Sequence, residues 1–198
     1  MHKKILFPFS PGKSLNSGYA WAMQLAARMN APLFFFTTVP ANEKNKDQFL
    51  HHVHCSLLEA QGSYLQYTSQ RRAPARTEPH IEQGDFTGSL SQFLKRIRFD
   101  IVVIDPQTSG LPKTSLKYVV ENSNGVIVLP DQPENSYHSF STSTKESEKK
   151  ITESFYSVLH HSDLYKLQDN FFHTLGKDKG VFNYLRSFFE KKRRRSFT

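Results

Sequence analysis

The polar segment 105–114 lies between two short apolar runs, and it is the first place in this sequence where a ligand could bind. The runs 101–104 and 126–129 are bounded by turn residues, a pattern typical of strands buried on both faces of a parallel sheet. In such sheets ligands bind at the carboxyl ends of the strands. The segment contains Gly110, and a helix predicted to begin near Ser115 would present free N–H groups that attract small anions. The segment is therefore the candidate site for an anionic ligand.

A second group of residues that could bind a metal is His51, His54 and Cys55, which would share one face of a predicted helix. Residues at this spacing could bind a transition metal, but no fourth ligand is near in the sequence. Short motifs of this kind also often occur by chance. We interpret these residues as polar helix positions with one half-buried cysteine, and we predict no metal site. Nucleophilic catalysis would need a Cys or Ser beside a base and an orienting acid, and the chain has no Gly-x-Ser-x-Gly motif. We therefore expect no enzymatic activity.

The elements that position these residues follow from the hydrophobic pattern. Apolar runs alternate with helical periodicity, which predicts a doubly wound α/β fold with a five-stranded parallel sheet. Residues 71–79, with two prolines and three arginines, are predicted as a connection, and Thr87 as the cap of the third helix. The predicted strands cover residues 5–9, 33–39, 80–82, 99–104 and 126–129, and the predicted helices lie near 15–29, 49–65, 87–97 and 115–121.

Length and composition limit the class of protein. With 198 residues, 37% of them hydrophobic, the chain can form one ordinary domain with an extension. The single cysteine excludes an intramolecular disulfide, and no apolar run approaches the roughly 20 residues of a membrane span. The first residues lack the pattern of a secretion signal. We expect a reducing, cytoplasmic setting.

The composition changes along the chain and predicts three parts. These are an α/β domain at 1–130, a Ser/Thr-rich linker at 131–147 and a helical extension with a basic tail at 148–198. The net charge of the chain is +8, and residues 176–198 hold eight basic and two acidic side chains, so most of the charge belongs to the tail. Apolar residues from Phe155 to Phe172 and from Val181 to Phe189 recur at helical spacing.

Four features of residues 3–130 occur together in a known family. Ile-Leu-Phe-Pro at 5–8 precedes a Ser/Gly turn and an Ala-rich helix, Gly84-Asp85 precedes the third helix, and two apolar strands lie at 99–104 and 126–130. In these features the chain resembles the universal stress protein family. The resemblance implies a parallel five-stranded sheet, often in a homodimer formed through the last strand. It also implies a regulatory function in the response to stress.

The resemblance further implies that ATP is held only by members with a particular loop, and this chain departs from it. An Asp usually ends the first strand of ATP binders, where Ser10 stands here. A spaced set of glycines normally follows the fourth strand, but Asp105 and Pro106 stand at the first glycine position, and Thr114 and Ser115 at the end of a shortened loop. Proline offers no N–H donor and a carboxylate repels phosphate. We expect no cofactor, and an ATP-binding member is the alternative.

The basic tail is the part that the resemblance does not account for. One interpretation is an amphipathic helix whose basic end contacts an anionic partner, either RNA, as in the ribosome, or an acidic membrane surface. The other is that the segment 155–189 packs on the domain or across a dimer, while the charges keep the end of the chain in solution. The candidate partner-binding residues are Phe188, Phe189, Lys191, Lys192, Arg193, Arg194 and Arg195.

Overall fold

A computed structural model describes residues 3–10, 13, 15, 17–67, 76–130 and 145–166. These residues form one six-stranded sheet with helices on both faces. The elements in chain order are β1 (Ile5–Pro8), α1 (Ser17–Met29), β2 (Pro32–Val39), α2 (Lys46–Tyr67), β3 (Arg76–Gln83), α3 (Phe86–Arg96), β4 (Ile101–Ile104), α4 (Pro106–Ser109), α5 (Lys113–Glu121), β5 (Val126–Val128), α6 (Lys145–His161) and β6 (Asp163–Tyr165).

The strands of the sheet follow the order β3-β2-β1-β4-β5-β6. The first five strands are parallel to their neighbours, and β6 pairs with β5 in the antiparallel direction. This confirms the predicted doubly wound fold with its five parallel strands, whereas the sixth strand was not predicted. The chain reverses its direction of travel across the sheet between β1 and β4, so the carboxyl ends of these two strands flank the crevice where a ligand would bind.

Two apolar cores form because alternate residues of a strand point to opposite faces of the sheet. One core lies under α1, α2 and α6 and contains Ile5 and Phe7 of β1. The other lies under α3 and α5 and contains Leu6, Phe93 and Val119. Among the described residues, no helix combines the length and apolarity that crossing a bilayer requires.

Helix α6, the first part of the predicted extension, packs on α1. The rings of Trp21 and Phe155 stack with centroids 4.9 Å apart, and Trp21 Nε1 donates a hydrogen bond to the Phe155 carbonyl oxygen at 3.1 Å. The Arg28 guanidinium lies 4.6 Å from the centroid of the Phe155 ring and also donates to the Tyr156 hydroxyl at 3.3 Å. Of the interpretations offered for the segment 155–189, packing on the domain is therefore correct for α6. The residues Phe188, Phe189 and Lys191 to Arg195 lie outside the described residues.

Three local predictions differ from the structure. Residues 76–79, predicted as a connection, belong to the eight-residue strand β3, because pairing with β2 along its whole length outweighs a sequence poor in apolar residues. Pro79 is tolerated there since β3 is an edge strand. Helix α3 is capped by the Asp85 carboxylate, which accepts from Gly88 N at 2.7 Å, rather than by Thr87. Leu164, assigned to a helical pattern, lies in β6.

An aromatic and ionic cluster joins β3 to α3. The His80 ring stacks on Phe93 with centroids 4.2 Å apart and is also near Phe36. His80 Nε2 lies 3.1 Å from Glu82 Oε1, and the same carboxylate pairs with Arg96. Partial burial and then the charge of Arg96 hold the pKa of His80 below its ordinary value of 6.5. The lowered pKa favours the neutral imidazole at neutral pH, and a neutral ring protonated at Nε2 would donate to the Glu82 carboxylate.

The His80 cluster predicts a loss of stability in mild acid. The unfolded chain takes up a proton at His80 near pH 6.5, whereas the folded chain does so only at lower pH. The free energy of unfolding should therefore fall as the pH decreases below about 6.5. Urea denaturation at a series of pH values between neutral and mildly acidic should show that His80→Phe, which keeps an aromatic ring in the stack, has a smaller decline than the wild-type chain.

His51→Gln is a matched control, because His51 is an exposed histidine on α2. Its decline in stability should match that of the wild-type chain. If His80→Phe and His51→Gln gave the same pH profile, the cluster would not be the source of the acid sensitivity.

Candidate functional site

The segments that follow β1 and β4 contact each other at the crevice between these strands. Ser10 N donates a hydrogen bond to the Thr108 carbonyl oxygen at 3.0 Å. A methyl group placed on Gly110 would lie 3.6 Å from Cβ and 3.7 Å from Oγ of Ser10. Ser10 and Gly110, both predicted from the sequence as candidates, therefore lie next to each other at the carboxyl ends of the two strands.

The predicted loop after β4 contains a helical turn, α4, that Asp105 caps. Asp105 Oδ1 accepts from Gln107 N at 3.0 Å, Oδ2 accepts from Thr108 Oγ1 at 2.5 Å, and the carbonyl oxygen accepts from Ser109 N at 2.8 Å. Pro106 occupies the first helical position, where a missing N–H costs nothing. Gly110 ends the turn with φ +58°, which explains a glycine here without any ligand.

The Asp105 side chain is also seated against the beginning of α1. It is 4% exposed, and a methyl group on Gly18 would overlap its oxygen Oδ2 and lie 2.7 Å from its Cγ. Gly18 is the second residue of α1, where backbone N–H groups and the helix dipole favour a negative charge. The Asp105 carboxyl group therefore occupies the space beside this end of α1. Sequence reasoning did not identify Gly18, because only the fold brings it to Asp105.

Four of the described backbone N–H groups in this region already have acceptors within it. The N–H groups of Ser10, Gln107 and Ser109 bond to oxygens of the loop, and Leu111 N lies 3.4 Å from Ser109 Oγ. Thr108 and Ser109 are fully buried. Binding of a polyphosphate by a loop depends on N–H groups that point at the ligand, and these four are already engaged.

The other two candidates of the loop, Thr114 and Ser115, lie in the first turn of α5. Pro112 precedes this helix and provides no side-chain cap. Ser115 N bonds to the Pro112 carbonyl oxygen at 2.9 Å. The structure thus groups Ser10, Asp105 and Gly110 around the crevice, while the described backbone bond of Ser115 is made within its own turn.

The histidine and cysteine residues of α2 form a pair rather than a cluster. Cys55 Sγ lies 3.5 Å from His51 Nε2, one turn away on the same helix. Within the described ranges, no three His, Cys, Asp or Glu side chains are grouped as a metal ion would require. The partner-binding candidates Phe188, Phe189 and Lys191 to Arg195 lie outside these ranges.

Comparison with solved structures shows a similar fold in a universal stress protein and in two hypothetical proteins, each over about two-thirds of this chain. UspA from Lactobacillus plantarum is 16% identical, with 64% of this chain and 97% of that chain covered and a TM-score of 0.39. The hypothetical protein MJ0577 is 14% identical over 67% of this chain and 98% of its own, with a TM-score of 0.38. The hypothetical protein PH0823 is 13% identical over 68% and 99%, with a TM-score of 0.43.

No protein-family model matches the chain, and no curated protein matches its sequence. At these identities the likeness to the solved structures concerns the fold alone. The site must therefore be interpreted from its own geometry.

The contact between Gly18 and Asp105 predicts opposite effects for two Gly→Ala substitutions. Gly62 lies inside α2 with open space around it, so Gly62→Ala should raise the free energy of unfolding by about 0.5–1 kcal/mol through helix propensity. Gly18→Ala also replaces glycine by a better helix former, but it places a methyl group on the Asp105 carboxylate. It should therefore lower the free energy of unfolding by about 1–3 kcal/mol. Chemical denaturation measures both.

A double-mutant cycle identifies the cause. In an Asp105→Ala background the contacts with Oδ2 and Cγ are gone and only Cβ remains, 2.8 Å from the added methyl group, so Gly18→Ala should then be about 1 kcal/mol less destabilising than in the wild-type chain. Equal effects of Gly18→Ala in the two backgrounds would contradict the contact.

Proposed function

We propose that this chain is a non-enzymatic regulatory module of the stress-protein type, acting in the cytoplasm, which holds no ATP and works through partner contacts of its C-terminal region. The single observation that carries the first half of this proposal is the buried carboxylate of Asp105 in the crevice. The second half rests on the sequence of the tail, with its concentrated positive charge.

The position of Asp105 and of the turn that it caps disfavours the binding of a polyphosphate in two ways. The carboxylate adds a negative charge where phosphate oxygens would lie. A phosphate charge about 4 Å from it would be opposed by about 4 kcal/mol at an effective dielectric constant of about 20, roughly a thousandfold in affinity. In addition, the Ser10 N–H is already bonded to the Thr108 carbonyl oxygen of α4 and is not offered to a phosphate.

The alternative function, an ATP-binding protein with slow hydrolysis, would require rearrangement of this region. Asp105 would have to leave α1, and the turn α4 would have to unwind to free its N–H groups. Three hydrogen bonds within the turn oppose this change. The geometry therefore supports a module without nucleotide better than an ATPase.

The partner contacts are assigned to the tail because its charge pattern is that of a polyanion-binding segment. The partner is RNA, in the ribosome or free, or an acidic membrane surface, and these share phosphate groups as the recognised chemistry. A homodimer through the last parallel strand, which the family resemblance implies, would require α6 and β6 to leave β5, because β6 pairs with its outer edge.

Titration calorimetry with ATP and magnesium tests the first half of the proposal. We expect no binding heat at micromolar to submillimolar concentrations, because the Asp105 carboxylate repels phosphate and the described N–H groups of Ser10, Gln107, Ser109 and Leu111 already have acceptors. Mass spectrometry of the protein purified without added nucleotide should likewise find none. Micromolar ATP binding, or a co-purified nucleotide, would refute this half and favour the ATP-binding alternative.

Removal of residues 176–198 tests the second half. The full chain should co-sediment with ribosomes or RNA, or with vesicles containing anionic lipid, and the truncated chain should not. If the five cations at 191–195 release counterions from single-stranded RNA, the logarithm of the binding constant should fall with the logarithm of salt concentration with a slope of about −3.5.

Two full-length variants separate charge from apolar contact. Substitution of Lys191, Lys192, Arg193, Arg194 and Arg195 by Gln should abolish the salt dependence. Phe188→Ala/Phe189→Ala should weaken vesicle binding more than RNA binding, since aromatic insertion into the membrane is lost while the charges stay. Unchanged co-sedimentation after deletion of the tail would remove the assignment.

A further inference from the structure

Cationic side chains gather at the amino ends of the strands, which is the end of the domain opposite to the crevice. Lys4 precedes β1, Arg98 precedes β4, and Lys166 follows β6, whose last residue pairs with the first residue of β5. Lys95 lies in the last turn of α3, which leads to the same end. All four residues are exposed. We call Lys4, Lys95, Arg98 and Lys166 the basic row.

Hydrogen bonds fix the backbone that carries the basic row. The Asp100 carboxylate accepts from Lys4 N at 2.9 Å and from Asn124 Nδ2 at 3.4 Å, and Asn124 Oδ1 accepts from Arg98 Nε at 2.8 Å. This network joins the beginnings of β1, β4 and β5. Because neighbouring strands are about 4.8 Å apart, the backbones of Lys4 and Lys166 are separated by about 14 Å across the sheet.

The cations of the basic row are held by neutral groups, so their charge is not cancelled. Arg98 bonds to an amide oxygen, and Lys166 Nζ donates to the Glu121 carbonyl oxygen at 3.3 Å. Lys95 Nζ lies 5.7 Å from the centroid of the Tyr118 ring. None of the ion pairs within the described residues includes a member of the row. The row therefore offers positive charge to an external anion.

The opposite end of the domain differs in its charges. Asp85 follows β3, Asp105 follows β4 and Asp163 begins β6 beside the end of β5. Lys13 and Lys46 lie at this end as well, so both signs are mixed there. The uncancelled positive charge of the row thus belongs to the amino end of the strands.

We propose that the basic row is an RNA-binding surface, which holds the same single-stranded RNA as the tail. This inference rests on the proposed function and adds to it a second contact and a single class of partner. The chain passes directly from Lys166 into the segment that ends in the five cations at 191–195, so the tail starts at the row. A few phosphate contacts alone bind a single strand weakly, and the row therefore adds to the tail rather than replacing it.

The side chains around the row favour RNA over a membrane. A surface that inserts into a bilayer carries several exposed large apolar side chains. Within the described residues, Leu58 and Tyr165 are the large hydrophobic side chains that are exposed, and Leu58 lies on α2, away from the row. Tyr165 directly precedes Lys166, and its ring is 37% exposed. One exposed aromatic ring beside several cations is the combination that binds a base and its phosphates.

The salt dependence of RNA binding tests the row. Binding of a fluorescent single-stranded oligouridylate to full-length variants is measured by anisotropy over a series of salt concentrations. In Lys4→Gln/Lys95→Gln/Arg98→Gln, the slope of log binding constant against log salt should be less steep than in the wild-type chain by about 2, since each lost phosphate contact changes it by about 0.7. At about 0.1 M salt this corresponds to a loss of roughly a hundredfold in affinity.

A matched variant removes the same charge from the other end of the domain. Lys13→Gln/Lys44→Gln/Lys46→Gln should keep the wild-type slope, because these lysines lie beyond the carboxyl ends of β1 and β2. A basic-row variant with the wild-type slope would overturn the inference, even if urea denaturation showed it to be less stable. In that case the cations would only complement the negative ends of α3 and α5.

The tail variant separates this inference from the proposed function. If substitution of Lys191 to Arg195 by Gln abolished RNA binding while the basic-row variant kept the wild-type slope, the tail would stand and the row would fall. If the basic-row variant lost affinity while the tail variant kept it, the row would stand and the assignment to the tail would fall.

Lysine footprinting and one aromatic substitution identify the partner and the surface. With an amine-reactive reagent and mass spectrometry, the oligouridylate should protect Lys4, Lys95 and Lys166, and should leave Lys46 reactive. Tyr165→Leu should lower RNA affinity about fivefold or more without changing the salt slope, because base stacking is lost while the charges remain. Protection of the row by vesicles containing anionic lipid, but not by the oligouridylate, would overturn the assignment to RNA.

Discussion

The carboxylate of Asp105 is the constraint on which the described part of the site depends. It caps α4 through Gln107 and Thr108, and it lies against Gly18 at the beginning of α1. One side chain therefore joins the element after β4 to the element after β1, which are the two sides of the crevice. Gly18 is required at its position by this close approach of the carboxylate, and Gly110 by the left-handed backbone that ends α4.

The fold was largely predictable from the sequence because buried parallel strands have a strong signal. Runs such as Ile-Val-Val-Ile at 101–104 are buried on both faces and are recognisable without any tertiary information. β3 was mostly missed because Arg-Thr-Glu-Pro-His-Ile-Glu-Gln is half-buried at an edge, where pairing with β2 decides the structure. β6 was missed because three residues carry no periodicity and Leu164 also fits a helical stripe.

The site was predictable in its location and not in its chemistry. Topology alone places Ser10 and Gly110 at the carboxyl ends of neighbouring strands, although they are distant in the sequence. Asp105 was correctly recognised as a residue of the loop, but nothing in the sequence connects it with Gly18. The turn α4 has a local signal, since Asp-Pro followed by glycine is a common beginning and end of a short helix. That signal predicts a cap, and only the packing shows that the same carboxylate also meets α1.

The crevice and the β5 edge are occupied in the same way, by groups of the chain itself. Asp105 takes the position of an anion, and β6 takes that of another strand. An external ligand or strand would have to displace these groups, so its apparent affinity would be reduced by the fraction of molecules in which the position is open. The two contacts involve different residues: Asp105 lies against the beginning of α1 from the carboxyl end of β4, whereas Phe155 contacts Trp21 and Arg28 further along the same helix. Helix α1 thus takes part in both contacts, at Gly18 in its first turn and at Trp21 and Arg28 further along.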